Sequence, residues 1–164
     1  MESIDIIYFS ERDNYLRRIS DILNKNIESE FVIICSASKK IDDISSFKHI
    51  ADCISKAQKK SAEILLGGVK NFQKILEIDE NLFCVEKFQG FNFIIFFNSI
   101  FDQIINNQHY THVCIEEFLC EIAENIFVMH PFITLEESFT EVGHYDQSNN
   151  IIEDLKHIRK FYRS

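Results

Sequence analysis

The sequence predicts one α/β domain of the α+β type: a five-stranded, mostly antiparallel sheet with one helix on one face and two on the other. Three observations support this. Short β-branched and aromatic segments alternate with polar turns, longer segments carry apolar residues at three- and four-residue steps, and residues 91–97 are apolar at almost every position. A strand of that last kind is covered on both faces, so we expect it at the centre of the sheet.

The N-terminal part predicts short strands. Residues 4–9 are β-branched and aromatic, residues 11–14 form a polar turn, and residues 15–19 fit a short return strand. Residues 21–30 are polar and fit a helical turn. Residues 31–35 form a short apolar run that predicts a further strand.

The first clear helix is predicted over residues 46–62. Ser45 and Ser46 offer a helix cap, because a serine oxygen can accept a hydrogen bond from the first free backbone N–H groups. Gly67-Gly68 predicts the end of this helical region. The apolar stripe of the helix consists of Phe47, Ile50, Ala51, Ile54, Ala57 and Ser61.

The next three segments predict an antiparallel meander. Residues 72–78, 82–88 and 91–97 are rich in apolar residues, and short turn signals separate them: Asp79-Glu80-Asn81 and Gln89-Gly90. Because the meander runs outward from the central strand 91–97, strand 72–78 is expected at the edge of the sheet.

Two closing helices complete the predicted domain. The first covers about 113–129 and ends at Pro131, since proline cannot donate a backbone hydrogen bond and disfavours helix before it. Phe132 is expected to pack into the domain. The second closing helix covers about 150–162. The stripes are Ile115, Phe118, Leu119, Ile122, Ile126 and Met129 for the first, and Ile151, Ile152, Leu155, Ile158 and Tyr162 for the second.

Composition argues against several classes of function. The net charge of −9 argues against binding to nucleic acid or to an anionic membrane surface, because a protein that binds either needs concentrated positive charge. The five cysteines are odd in number and lack a CxxC pair, so reduced buried thiols in a cytoplasmic protein are expected. Glu2 and Asp5 stand where a signal peptide would be basic. No apolar run approaches the length of a membrane span, so no membrane insertion is expected.

No pattern in the sequence predicts an active site, so we expect a protein that is not an enzyme and that needs no cofactor. Phosphate-binding glycine loops and a GxSxG elbow are absent. His109, His112 and Cys114 have a spacing that is not a standard zinc pattern, so no metal is expected. His130 has no evident catalytic partner and is interpreted as structural.

Three stretches resemble the sedlin group, the small subunits of the TRAPP vesicle-tethering complexes, within the longin-fold superfamily. They are residues 4–17, residues 82–97, and the helix that ends in His130-Pro131-Phe132. The resemblance covers residues 1–20 and 45–162 of one domain spanning 1–164. Residues 21–44 are then an insertion between the second strand and the first helix.

The resemblance implies a non-catalytic subunit of a cytoplasmic complex peripheral to ER and Golgi membranes, acting in ER-to-Golgi or Golgi transport. Its partners would be other tethering subunits and, indirectly, a Rab-type GTPase, and a homodimer is possible. Another longin-fold module, such as a small adaptor-complex chain, is the alternative. A small enzyme of unfamiliar type is the third class of function.

The predicted partner surface combines the edge strand 72–78 with the helix 46–62. Edge strands expose backbone groups that can pair with another chain, and related longin-fold proteins often associate through these two elements. We expect the surface to include Ser55, Lys59, Ile75 and Glu77. Family members usually carry an Asp at the position of Ser55 and an Asn at that of His130. The alternative is that Ile75 belongs to the core and Lys59 to a solvated face.

Overall fold

The computed structural model describes residues 6–8, 15–35, 44–91, 93–109 and 114–133, and these residues form a mixed seven-stranded sheet with four α-helices. The strands are β1 (Ile6–Tyr8), β2 (Phe31–Cys35), β3 (Ile64–Leu66), β4 (Val69–Asp79), β5 (Leu82–Phe91), β6 (Phe93–Phe97) and β7 (Ile126–Met129). The helices are α1 (Tyr15–Lys25), α2 (Ile44–Lys59), α3 (Phe101–Asn106) and α4 (Ile115–Ile122). The strand order is β1-β2-β6-β3-β7-β5-β4. The general α+β class is therefore confirmed.

Helices cover both faces of the sheet, and each face has its own hydrophobic cluster. The first cluster contains buried residues of α1, α3 and α4, and the second contains those of α2. Strand β6 contributes to both, because Phe96 lies in the first cluster and Phe93 in the second. All five residues of β6 are buried, and β6 pairs with β2 and β3. The prediction of a central strand here is confirmed.

Strands β3 to β6 form one long, bent hairpin. Ile64 pairs with Phe96, Val69 with Phe91, and Leu76 with Cys84, so one register runs from the base of the hairpin almost to its tip. It shifts only between Glu77 and Asp79. The base of the hairpin consists of β3 and β6, and its tip consists of β4 and β5. Strand β7 lies between these two halves, because it pairs with both β3 and β5. The hairpin thus bends around β7, and both of its halves are parts of the same sheet.

Glycines allow this bend. A Cβ atom on Gly67 would lie 2.7 Å from Cδ1 of Phe93, which is buried across the hairpin. Gly90 has a φ of +67°, and a Cβ there would lie 2.6 Å from Cδ of Lys70. Glycine inside a strand often marks such a bend or a close approach of two chains.

The predicted three-strand meander, and with it the five-stranded, mostly antiparallel sheet, is therefore wrong. The first turn, Asp79-Glu80-Asn81, does join two antiparallel strands, but Gln89-Gly90 lies inside β5. The left-handed backbone of Gly90 bends the chain instead of reversing it. Residues 93–97 then pair with β2 and β3 and do not pair with 82–88, whereas Phe91 still pairs with Val69 of β4. The two parallel pairs, β1 with β2 and β3 with β7, also depart from the antiparallel longin arrangement.

The predicted return strand at 15–19 is also wrong, because these residues begin helix α1. Ile19 and Leu23, four residues apart, are both buried in the first cluster. That spacing places them on one face of a helix. Residues 15–19 taken alone also fit a strand. The helical spacing of the buried residues becomes visible only when the segment is followed to Leu23. The prediction for 31–35 is confirmed, since these residues form β2.

The predicted long helix over 113–129 is divided into α4 and strand β7. The apolar stripe matches both, but the backbone of Ala123 is extended and the helix ends at Ile122. The Glu63 carboxylate fixes the turn, since Oε2 accepts hydrogen bonds from the N–H groups of Glu124 at 2.6 Å and Asn125 at 3.0 Å. All four residues of β7 are buried.

Two predicted helix ends are corrected in the same way. Helix α2 ends at Lys59, before Ser61 adopts a positive φ of 58°, and Gly67-Gly68 connects two strands. Pro131 follows β7 and ends no helix, whereas Phe132 is buried as predicted. The predicted helix at 150–162 lies outside the described residues.

Candidate functional site

Strand β4 forms the long outer edge of the sheet. It has 11 residues and stands last in the strand order of the described part of the chain, as predicted for segment 72–78. Leu76 is 67% exposed, the largest value among the exposed large apolar side chains found there. An exposed edge with an apolar side chain is a surface to which another strand can add.

One feature of β4 limits indiscriminate pairing. Lys74 has a positive φ of 49°, which interrupts the regular strand geometry. Its Nζ lies 2.7 Å from Oε2 of Glu86 on β5, and this contact lowers the pKa of the Glu86 carboxyl. Both side chains are exposed, so the ion pair adds little stability. Charged side chains and local irregularities are common protections of edge strands.

The predicted interface residues do not lie on one surface. Ser55 and Lys59 are exposed on α2, which covers the second cluster. Ile75 is half-buried against the first cluster, on the opposite face of the sheet. Glu77 is half-buried and pairs with Phe83 of β5. Ile75 thus has the core position that was considered as the alternative, and the contribution of the other three to an interface stays a prediction.

A cleft of about 690 Å³ lies beside this edge. One wall is the bent middle of the hairpin and the other is helix α4. We call it the α4 cleft. Its lining residues are Asn71, Phe72, Gln73, Lys87, Phe88, Gln89, Cys114, Glu116, Glu117, Cys120 and Glu121.

Helix α4 supplies hydrogen bonds at the base of the cleft. Strand β5 pairs with β7 only through residues 82–85, so its later residues have no strand on that side in the described structure. The Gly90 N–H donates to Oε1 of Glu116 at 3.3 Å. The Phe88 backbone also interacts with the Cys120 thiol and acts to lower its pKa. These contacts hold α4 against the hairpin.

The α4 cleft has an excess of negative charge. Its lining includes three carboxylates and one ammonium group, Lys87. Glu116 is committed to the Gly90 N–H, whereas Glu117 and Glu121 are exposed. These two lie one helical turn apart, where like charges repel each other.

The buried thiols are poor nucleophiles. Burial raises the pKa of Cys35 to about 12 and also raises that of Cys84. Burial also raises the pKa of Cys120, and this effect exceeds the lowering by the Phe88 backbone and by Lys87. Because the thiolate is the reactive form, thiols of raised pKa are nearly unreactive at neutral pH.

We expect the free energy of unfolding to decrease at alkaline pH because the buried Cys35 thiol resists ionisation in the folded state. Burial raises the pKa of the Cys35 thiol in the folded protein to about 12, above the ordinary value of 9.0 that it has in the unfolded chain. Its contribution is complete below pH 9 and is lost as the pH rises toward 12, because the unfolded state loses its proton first. The test is urea unfolding of wild type and Cys35→Val across this range. An equally steep decline in both proteins would contradict the assignment.

Helix α2 also carries a histidine–cysteine pair that was not predicted from the sequence. His49 Nε2 lies 3.0 Å from the carbonyl oxygen of Pro131, and Nδ1 lies 3.8 Å from Sγ of Cys53. The four-residue spacing on a helix could have revealed the pair. Cys53 is fully buried, however, and its Sγ also lies 3.7 Å from the Asn81 carbonyl oxygen. The pair therefore joins α2 to the segment after β7 and to the hairpin turn.

Two of the three histidines considered in the sequence analysis lie in the described residues, in different environments. His130 is buried, and its ring lies edge-on to Phe83 at a centroid distance of 6.1 Å. The backbone N–H of His130 donates to the Asn81 carbonyl at 3.0 Å. His109 is exposed after α3, and His112 lies outside the described residues. Within the described ranges, no three His, Cys, Asp or Glu side chains are grouped as metal ligands.

The comparisons with known proteins identify no family. No protein-family profile matches the chain, and no curated protein matches it significantly. None of the helices in the described residues is long and apolar enough to cross a membrane.

Proposed function

We propose that this chain is a non-catalytic protein-interaction module that docks an extended segment of a partner onto β4. The observation that carries the proposal is the position of β4: an 11-residue strand at the edge of the described sheet, with Leu76 67% exposed. Strand addition gains affinity from backbone hydrogen bonds and specificity from alternate side chains. Leu76 is the apolar side chain available for that specificity.

A more specific role follows from the sequence resemblance alone. It is that of a subunit of a vesicle-tethering complex in ER-to-Golgi or Golgi transport, and a small adaptor-complex chain is the alternative. The sheet order lends no support to either, because it departs from the longin arrangement. The exposed edge supports the shared element of both roles, which is assembly with other chains.

We expect Leu76→Asn to reduce partner recovery about tenfold or more. Burying a leucine side chain in an interface contributes about 1.5–3 kcal/mol, which corresponds to at least a tenfold change in affinity. The substitution is neutral in charge and lies at an exposed position, so the fold should remain intact. The measurement is a quantitative pull-down of the tagged full chain from its native cell, with proteins identified by mass spectrometry.

Ile27→Asn is the matched control, because Ile27 is also apolar and exposed but lies in the turn after α1. It should recover the same proteins as wild type. Equal recovery by Leu76→Asn and wild type would refute docking at β4. Tethering subunits or large adaptor chains among the proteins lost with Leu76→Asn would distinguish the two specific roles. Thermal melting checks that both variants are folded.

A further inference from the structure

We propose that the α4 cleft receives basic side chains of the segment that docks on β4, so that the partner is an extended, lysine- or arginine-rich stretch. This inference rests on the proposed docking function and adds the chemistry of the partner. The cleft and the edge are continuous, because Asn71, Phe72 and Gln73 belong to β4 and also line the cleft. A chain paired with this part of β4 would lie alongside the residues that form one wall of the cleft.

The charges of the cleft select the partner. Glu117 and Glu121 are exposed on the same side of α4 and repel each other, and a cation between them removes that repulsion. Glu121 is in the last turn of the helix, where the helix dipole disfavours a negative charge and where no basic residue is present. A basic partner side chain would offset both local costs. Lys87 is the single opposing charge among the lining residues.

The repeat distances also fit an extended segment. Residues four apart on a helix rise about 6 Å along its axis. Alternate residues of a strand are about 6.8 Å apart and point to the same side. Alternating basic residues of a strand that runs along α4 therefore match the spacing of Glu117 and Glu121.

A second copy of this chain is the less suitable occupant. The net charge of −9 makes two copies repel each other, whereas it attracts a basic segment and speeds its association. Strand β4 itself carries Lys74 and Lys70 but also Glu77 and Asp79, so a second β4 would bring no excess of positive charge into the cleft.

The test measures binding of short fluorescein-labelled peptides to the full chain by fluorescence anisotropy. One peptide alternates lysine and valine, and its counterpart alternates glutamate and valine. We expect wild type to bind the lysine peptide and not the glutamate peptide. Glu117→Lys with Glu121→Lys should weaken binding about tenfold or more, and binding should decrease with added salt. Glu117→Gln with Glu121→Gln is the second variant in case charge reversal unfolds α4.

The control is Asp21→Lys with Glu28→Lys, which changes the net charge equally at exposed positions outside the cleft lining. It should bind the lysine peptide nearly as wild type does. Equal loss in the cleft and control variants would overturn the proposal, because attraction would then depend on net charge alone. So would equal binding of both peptides, or a β4-dependent dimer in light scattering. Weaker binding by Leu76→Asn without any effect of the cleft variants would leave docking at β4 intact and reject only the basic partner.

Discussion

Phe96→Ala should lower the free energy of unfolding by about 3–5 kcal/mol, the usual cost of truncating a buried phenylalanine. Phe96 is fully buried, and its strand lies between β2 and β3, where it pairs with Val32 and Ile64. Strands β2 and β3 are both hydrogen bonded to β6, so they cannot easily move to close the cavity that the missing Phe96 ring would leave. Urea denaturation with an unchanged m-value measures the loss.

Phe47→Ala is the matched control for this prediction. Phe47 is 36% exposed on α2, so the same substitution there should cost much less, within about 1 kcal/mol. Similar losses at the two positions would contradict the central placement of β6. That placement supports the function as well, because the hairpin base is held by β6 while its outer strand β4 forms the docking edge.

The sequence predicted the parts of the fold that depend on local pattern. Segment 91–97 is apolar at almost every position, and β6 within it is central because each of its five side chains is buried. The stripe around Ile50 and Ile54 produces α2. The hairpin turn at Asp79-Glu80-Asn81 also follows from turn chemistry. These features are determined by neighbours within a few residues.

The sheet order could not be predicted from the same patterns, because it depends on contacts distant in sequence. Gly90 gives the same local turn signal whether it reverses the chain or bends it, and it bends the chain here because the pairing of β5 with β4 continues from Gln89 to Phe91. Residues 126–129 extend an apolar helical stripe, yet they become a strand because β3 and β5 offer backbone partners on both sides. Pairing with strands distant in sequence thus overrides the helical spacing of these apolar residues.

Only the edge position of the candidate site was predicted from the sequence. Its other features depend on contacts that are distant in sequence. The edge position of segment 72–78 was inferred from an incorrect meander, and it holds because the strand is the outer one of a hairpin in either topology. The face of each side chain was not predictable, since the positive φ of Lys74 disturbs the alternation along β4. Leu76 was therefore missed, and Ile75 was chosen although it packs against the core. The cleft was missed because it requires α4 beside the hairpin.

Phe132→Ala should cost about 3 kcal/mol, near the lower end of the range for buried phenylalanine because the side chain is 9% exposed at the border of the first cluster. The ring lies over the connection between β3 and β4: a Cβ on Gly68 would lie 3.2 Å from Cγ and Cδ2 of Phe132. The next residue continues this contact, since the Ile133 N–H donates to the Gly67 carbonyl at 2.8 Å. Phe132 therefore fixes the chain after β7 against the start of β4. A loss below about 1 kcal/mol would mean that the ring is not packed there.

A double-mutant cycle with Gly68→Ala tests that contact directly. Gly68 has no positive φ, so alanine is compatible with its backbone and the obstacle is the ring itself. Gly68→Ala should destabilise wild type by about 1–3 kcal/mol through overpacking. In the Phe132→Ala background the ring atoms are gone, so the added methyl group should cost less than half as much and fill part of the cavity. Additive costs in urea denaturation would show that the two residues do not touch.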